Sequence, residues 1–226
     1  YCLFALPVTP PRRCHRAMKP PTVRRFFGFV ILLLPAAFII WHALGSVVAA
    51  PVVWVAGELL RWWLPELVSE VTLDGTRMII AAAVGELNGA ILPTAQAGNQ
   101  LAFQLDTRTL TYSIPFYAAL HFATPMESTL ERFARGLLIL WLLIIIGLVC
   151  TALKDLMLAL GETFLALPTA PPAAAIALTY QFSVLMVPPV APVLLWAFEA
   201  RNLGLFPQLI DKPARGESQS ESPDAS

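Results

Sequence analysis

The chain has 226 residues, 57% hydrophobic and 13% charged, with a formal net charge of zero and a mean hydropathy of +0.68. A soluble domain carries about 25% charged residues, and charge is costly in hydrocarbon, so this composition predicts a membrane protein. The balanced charge gives no sign of a nucleic-acid partner.

Residues 1–25 read as a basic leader. The stretch 1–17, "YCLFALPVTPPRRCHRA", is rich in Pro and Arg and has no period. Met18 then opens a short basic head that runs straight into an apolar helix. Translation is expected to start at Met18; a longer cytoplasmic tail is the alternative. Residues 26–49, "FFGFVILLLPAAFIIWHALGSVVA", form the first predicted transmembrane helix. The run exceeds the roughly 20 residues needed to cross a bilayer and carries no formal charge. Lys19, Arg24 and Arg25 precede it and place the N-terminus in the cytoplasm. A cleaved signal peptide would have a shorter apolar region, so an uncleaved anchor is favoured, with Pro35 as a tolerated kink.

Pro51 suits the first position of a new helix. Residues 51–67, with Trp54, Trp62 and Trp63, read as an interfacial helix, because Trp rings sit at headgroup depth. Glu58 and Arg61 are spaced to pair on its surface. Residues 68–109 form a small β segment. Asp74-Gly75 is a two-residue hairpin signal between "EVTL" and "TRMII". "VGELNGAILPTAQAGNQ" reads as loop, and "LAFQLDTRTL" alternates Leu101, Phe103 and Leu105 on one face. Three short strands make a thin core, expected to lean on the helices or on a partner from the extracytoplasmic side.

Residues 110–126 lack formal charge but lie at the lower limit for a span. Taken alone they are equally an interfacial or re-entrant helix. Residues 136–153, "GLLILWLLIIIGLVCTAL", and 173–198 are clearer spans. If 110–126 crosses, then Arg132, Arg135, Arg201, Lys212 and Arg215 join the N-terminus inside, as the positive-inside rule prefers. The expected fold is therefore a mainly α membrane protein of about four transmembrane helices. A β-rich extracytoplasmic insertion separates the first two, both termini are cytoplasmic, and the tail at 199–226 has a disordered composition.

Catalytic machinery is not evident. GxSxG, HExxH and Walker A patterns are missing. Cys2, Cys14 and Cys150 make no CxxC pair and have no His/Cys cluster nearby, so no metal or other cofactor is expected. The polar positions inside predicted spans are His42, His121, Tyr180 and Gln181. Such groups are functional candidates, although neutral polar side chains also make ordinary interhelical hydrogen bonds.

The order of features resembles the exosortase H-associated membrane proteins. The matching pieces are "RRFFGFVILLLPAAFIIWHAL", the weakly β centre, "YSIPFYAALHFATP" and "ALTYQFSVLMVPPVAPVLLWAF", between Arg24 and Phe198. The resemblance implies a bacterial inner-membrane protein beside an exosortase, a membrane peptidase that processes proteins with a C-terminal sorting tail. Exosortases use a catalytic Cys with Arg partners. This chain lacks that motif, so the resemblance implies a companion whose partners, besides the lipid bilayer, are an exosortase and its substrates. Two readings follow. One is a non-enzymatic accessory protein that docks through the β segment, with Phe103 and Leu105 in the docking strand. The other is a membrane enzyme or transport subunit with a polar site at His42, His121, Tyr180 and Gln181.

Overall fold

A computed structural model describes residues 23–87, 90–124 and 128–201. The leader at 1–22, including Met18, and the tail beyond Arg201 lie outside the described residues.

Among the described residues, three helices have the length and apolar character of a span: Arg24–Ala43, Thr129–Leu160 and Ala173–Ala200. The first is α1 (Val23–Ala43), with Pro35 inside it. After a single turn residue, Leu44, the chain enters α2 (Gly45–Trp63). Pro51 therefore does not open a helix; it sits inside α2. The cost is one backbone N–H donor, and the helix is retained because Ala49, Val52, Val53, Ala56 and Leu60 bury their side chains in the main core. Trp54 and Trp62 point outward from α2, and the exposed Glu58 and Arg61 pair with each other.

Five strands follow where three were expected. Strands β1 (Val68–Asp74) and β2 (Arg77–Ala82) form an antiparallel hairpin. Its loop is Gly75-Thr76 rather than Asp74-Gly75, since Asp74 pairs with Arg77. Gly75 has φ +60°, and Thr76 is not in the left-handed region; a Gly at the first loop position with positive φ fits a type II′ turn. The stretch read as loop contains a second hairpin, β3 (Val84–Leu87) with β4 (Ala90–Pro93). The overlooked signal is the Asn-Gly dipeptide at 88–89, as plain a hairpin signature as Asp-Gly. A single helical turn, α3 (Thr94–Ala97), leads to β5 (Ala102–Asp106), which completes a sheet of order β1-β2-β5.

The segment at 110–126 is not a helix of spanning length. It contributes to two short helices, α4 (Arg108–Thr111) and α5 (Ser113–Phe122). Pro115 explains the break: it has no N–H to donate and its ring clashes with the carbonyl four residues back, that of Thr111. Within the first turn of α5 the same proline costs nothing.

The long helix α6 (Thr129–Leu160) has 32 residues, about 48 Å of helix against about 30 Å of hydrocarbon. Its C-terminal half carries the main core: α2, the inner face of the sheet (Met78, Ile80, Leu105), Leu110 and Phe164 of α7 (Glu162–Leu165) pack there. The last helix, α8 (Ala173–Ala200), contains a π-helical turn at Phe182–Met186. Pro188, Pro189 and Pro192 follow closely and deny donors to the carbonyls of Val184, Leu185 and Pro188, which accounts for the widened turn.

A second, smaller core lies at the other end of the bundle. Phe26 of α1 stacks on Trp196 of α8 at 5.1 Å between ring centroids, and Leu120 and Ala123 pack beside them. The start of α1, the end of α5, the start of α6 and the end of α8 thus meet at one end, opposite the sheet.

Candidate functional site

The most concentrated polar chemistry lies at that junction. Tyr117 and His121 are one helical turn apart on α5, so their side chains share a face. Both are fully buried. Tyr117 Oη donates to Glu199 Oε2 at 3.0 Å, and His121 Nδ1 lies 2.9 Å from the same oxygen. His121 Nε2 faces Thr129 O at 2.9 Å. A carbonyl only accepts, so Nε2 carries a proton and donates it.

The surroundings fix these groups. Arg132 on α6 donates from a guanidinium N–H to Glu199 O at 3.3 Å. Phe133 stacks on the Tyr117 ring at 5.5 Å with an interplanar angle of 6°. Gly136, one turn further along α6, lies under the Tyr117 ring; a Cβ there would overlap Oη and Cζ and come within 2.9 Å of Cε1. Trp196 Nε1 donates to Thr124 Oγ1 at 2.8 Å, and Thr124 Oγ1 donates to Leu120 O at 3.0 Å. The ends of α5, α6 and α8 are thereby tied together, with the Glu199 side chain only 12% exposed.

Of the four polar positions singled out from sequence, His121 alone belongs to this cluster. His42 is exposed on α1, and Gln181 is exposed on α8 at the edge of the π turn. Tyr180 lies toward the sheet, its ring 4.8 Å beneath Lys154 Nζ, which also lies 2.5 Å from Asp155 Oδ1. The four do not come together. Glu199, Tyr117 and Arg132 complete the cluster and were not singled out. The signal for Glu199 was available: it is the one charge closing an otherwise uncharged run from Ala173 to Ala200. Cys150 is half-buried beside Leu59, Trp63 and Ile176, with no His among those neighbours.

In the β segment, Leu105 is buried in the main core and Phe103 packs against it. Ladder parity follows from the flanking bonds, Thr107 N–H to Thr76 O and Ala82 N–H to Leu101 O. Alternation places the Met78–Leu105 and Ile80–Phe103 pairs in hydrogen-bonded positions. Phe103 and Leu105 therefore direct their amides at β2, and the open edge of β5 presents Ala102, Gln104 and Asp106. A groove of about 200 Å³ borders that edge, lined on its far side by Thr151 and Asp155 of α6 and Tyr180 of α8.

Helices of spanning length, a sheet layer at one end and a closed polar junction at the other mark a mostly helical membrane protein. Searches of curated proteins and of solved structures find no match to it. Its sequence matches the family described as exosortase H-associated membrane protein over residues 20–203, and the chain belongs to that family.

Proposed function

We propose that the protein is a non-enzymatic accessory component of an exosortase-type protein-sorting system in a bacterial inner membrane. It crosses the membrane four times, with both termini cytoplasmic and the sheet layer outside. The observation that carries the non-enzymatic reading is the self-containment of the polar cluster: His121, Tyr117 and Glu199 spend their hydrogen bonds on one another and on α6 backbone. A group so occupied ties helices together and presents no free acid, base or nucleophile. Alanine substitution of His121 or Glu199 is expected to lower membrane abundance. Full abundance with loss of sorting would instead establish a catalytic or transport site.

The topology rests on charge and length. Arg135 and Lys154 bracket an apolar stretch of α6 18 residues long, about 27 Å of helix, which suits one hydrocarbon thickness. Arg24, Arg25, Arg132, Arg135 and Arg201 belong to the end where α1 starts and α8 ends, so α4 and α5 return the chain to that side. In a chain whose native cysteines are replaced, a Cys at exposed Gln96 should react with an impermeant maleimide on spheroplasts. One at exposed Leu130 should not, and labelling of both would eliminate the fourth crossing. Co-purification of an exosortase from mild detergent tests the partnership.

A further inference from the structure

The three-stranded sheet ends on β5, and the outer side of that strand is open. By ladder parity the N–H and C=O groups of Ala102 and Gln104, and the N–H of Asp106, point away from β2. Asp106 O accepts from Thr109 Oγ1 at 2.8 Å, which closes the edge at that end. Ala102, Gln104 and Asp106 are all exposed. Proteins blunt such edges with lysine, proline or a bulge. Strand β5 contains neither lysine nor proline, and its pairing with β2 runs without a register shift, whereas the β1–β2 pairing carries one at Val68/Glu70. Outward donors and acceptors on alternate residues match an extended backbone. A helix bonds its amides internally and has none to offer along its side.

The groove beside this edge decides which extended segment fits. Gln104 and Asp106 line it on one side, and Leu148 and Asp155 of α6 and Val184 of α8 line it on the other. A strand laid there turns alternate side chains toward the apolar Leu148 and Val184, and the rest toward the face that carries Gln104 and Asp106. Asp155 is held by Lys154. Asp106 Oδ1 accepts the Arg108 backbone N–H at 3.0 Å, and among the described residues no ion pair within 4.0 Å engages the Asp106 carboxylate. Residues 64–109 hold five carboxylates (Glu66, Glu70, Asp74, Glu86 and Asp106) against Arg77 and Arg108, a net charge of −3. That charge attracts a cationic segment and repels a second copy of the same sheet.

We propose that β5 receives an extended, lysine- or arginine-bearing segment of a partner protein as a fourth strand of this sheet. Its apolar side chains lie against Leu148 and Val184, and its cations lie beside Asp106. The inference rests on the accessory reading and names the chemistry that the sheet layer recognises. The test uses the full chain in mild detergent at low salt and a short fluorescein-labelled peptide alternating valine and lysine. Saturable binding by fluorescence anisotropy is expected, at least about tenfold tighter than for the same peptide with glutamate in place of lysine. Asp106→Asn keeps the acceptor for Arg108 N–H and should weaken binding about threefold. Gln104→Pro removes an outward donor and sets a ring against the incoming strand, so it should weaken binding at least about tenfold. Hydrogen exchange leaves the protein unaltered: the Gln104 amide should slow at least about tenfold on saturation with peptide, while Phe103 and Leu105 are already protected by β2. Unchanged exchange at Gln104, equal binding of the glutamate peptide, or full binding by folded Gln104→Pro would overturn the proposal. So would a Gln104 amide protected by self-association before peptide is added, which would make a second copy the occupant. An exosortase that co-purifies with the parent chain while the peptide fails to bind would sink this inference alone; peptide binding without such co-purification would sink the accessory reading instead.

Discussion

Replacing Gly136 by Ala should destabilise this protein, although the same change in an open helix stabilises it. Ala is preferred over Gly inside a helix by about 1 kcal/mol. Against that gain, the new Cβ overlaps the Tyr117 hydroxyl and ring. The ring has little room to retreat: it is fully buried, stacked on Phe133 and held by Glu199 through its hydroxyl. Overpacking costs about 1–3 kcal/mol. If the ring yields, its bond to the carboxyl group is lost, at about 1.5–3 kcal/mol. The net expectation is a loss of about 3 kcal/mol. Denaturant titration of the detergent-solubilised chain, followed by tryptophan fluorescence, measures it. Tyr117→Phe removes the oxygen that meets the new methyl and frees the ring to shift. The double variant should therefore be at least about 1 kcal/mol more stable than the sum of the single effects. A Gly136→Ala chain as stable as the parent, or strictly additive effects, would refute the packing argument.

Three further outcomes follow from the same contacts. Glu199→Ala leaves buried Tyr117 and His121 groups unpaired and should cost more than Glu199→Gln, which keeps an acceptor for Tyr117; unfolding midpoints in detergent compare them, with a gap of about 1–3 kcal/mol expected. Leu105→Pro removes a ladder donor and a core side chain and should abolish folding of the sheet layer, read as protease sensitivity. Gln104→Pro alters only the open edge of β5, so it should preserve protease resistance and weaken exosortase recovery in a pull-down if that edge is the docking site.

The membrane class, the three helices of spanning length and the first hairpin were legible because each rests on a local signal: run length, charge placement or a turn dipeptide. The β3–β4 hairpin was equally local, and its Asn-Gly pair was passed over because the surrounding Ala, Gly and Gln residues read as loop. The division of 110–126 was half legible. Pro115 was visible, but whether a proline kinks a helix or starts one depends on where the preceding helix ends, and hydropathy does not report that. The polar junction was least legible. Glu199 is 67 residues from Arg132 and 82 from Tyr117, and only the antiparallel return of α8 along α6 brings it to them. His121 could be singled out because it is a titratable group in an apolar run; its partners lay at span ends, where charge is ordinary.

A short crossing between full-length spans raises a physical difficulty, because helix ends left in hydrocarbon expose unpaired backbone and side-chain polar groups. In the proposed topology α4 and α5 avoid this locally at each end. Toward the sheet, Thr107 bonds Thr76 O through both its amide and its hydroxyl, and Ser113 Oγ donates to Leu110 O at 2.9 Å. Toward the cytoplasm, Thr124 Oγ1 donates to Leu120 O, and His121 bonds Thr129 O and Glu199. Neighbouring helices also shield the segment, since α1, α6 and α8 all pack on α5. Its marginal hydropathy therefore reflects a protein-lined position rather than a poor membrane helix. The polar groups that weaken its hydropathy are the ones that fasten it in place, so making it more apolar at His121 or Thr124 should loosen the bundle rather than strengthen it.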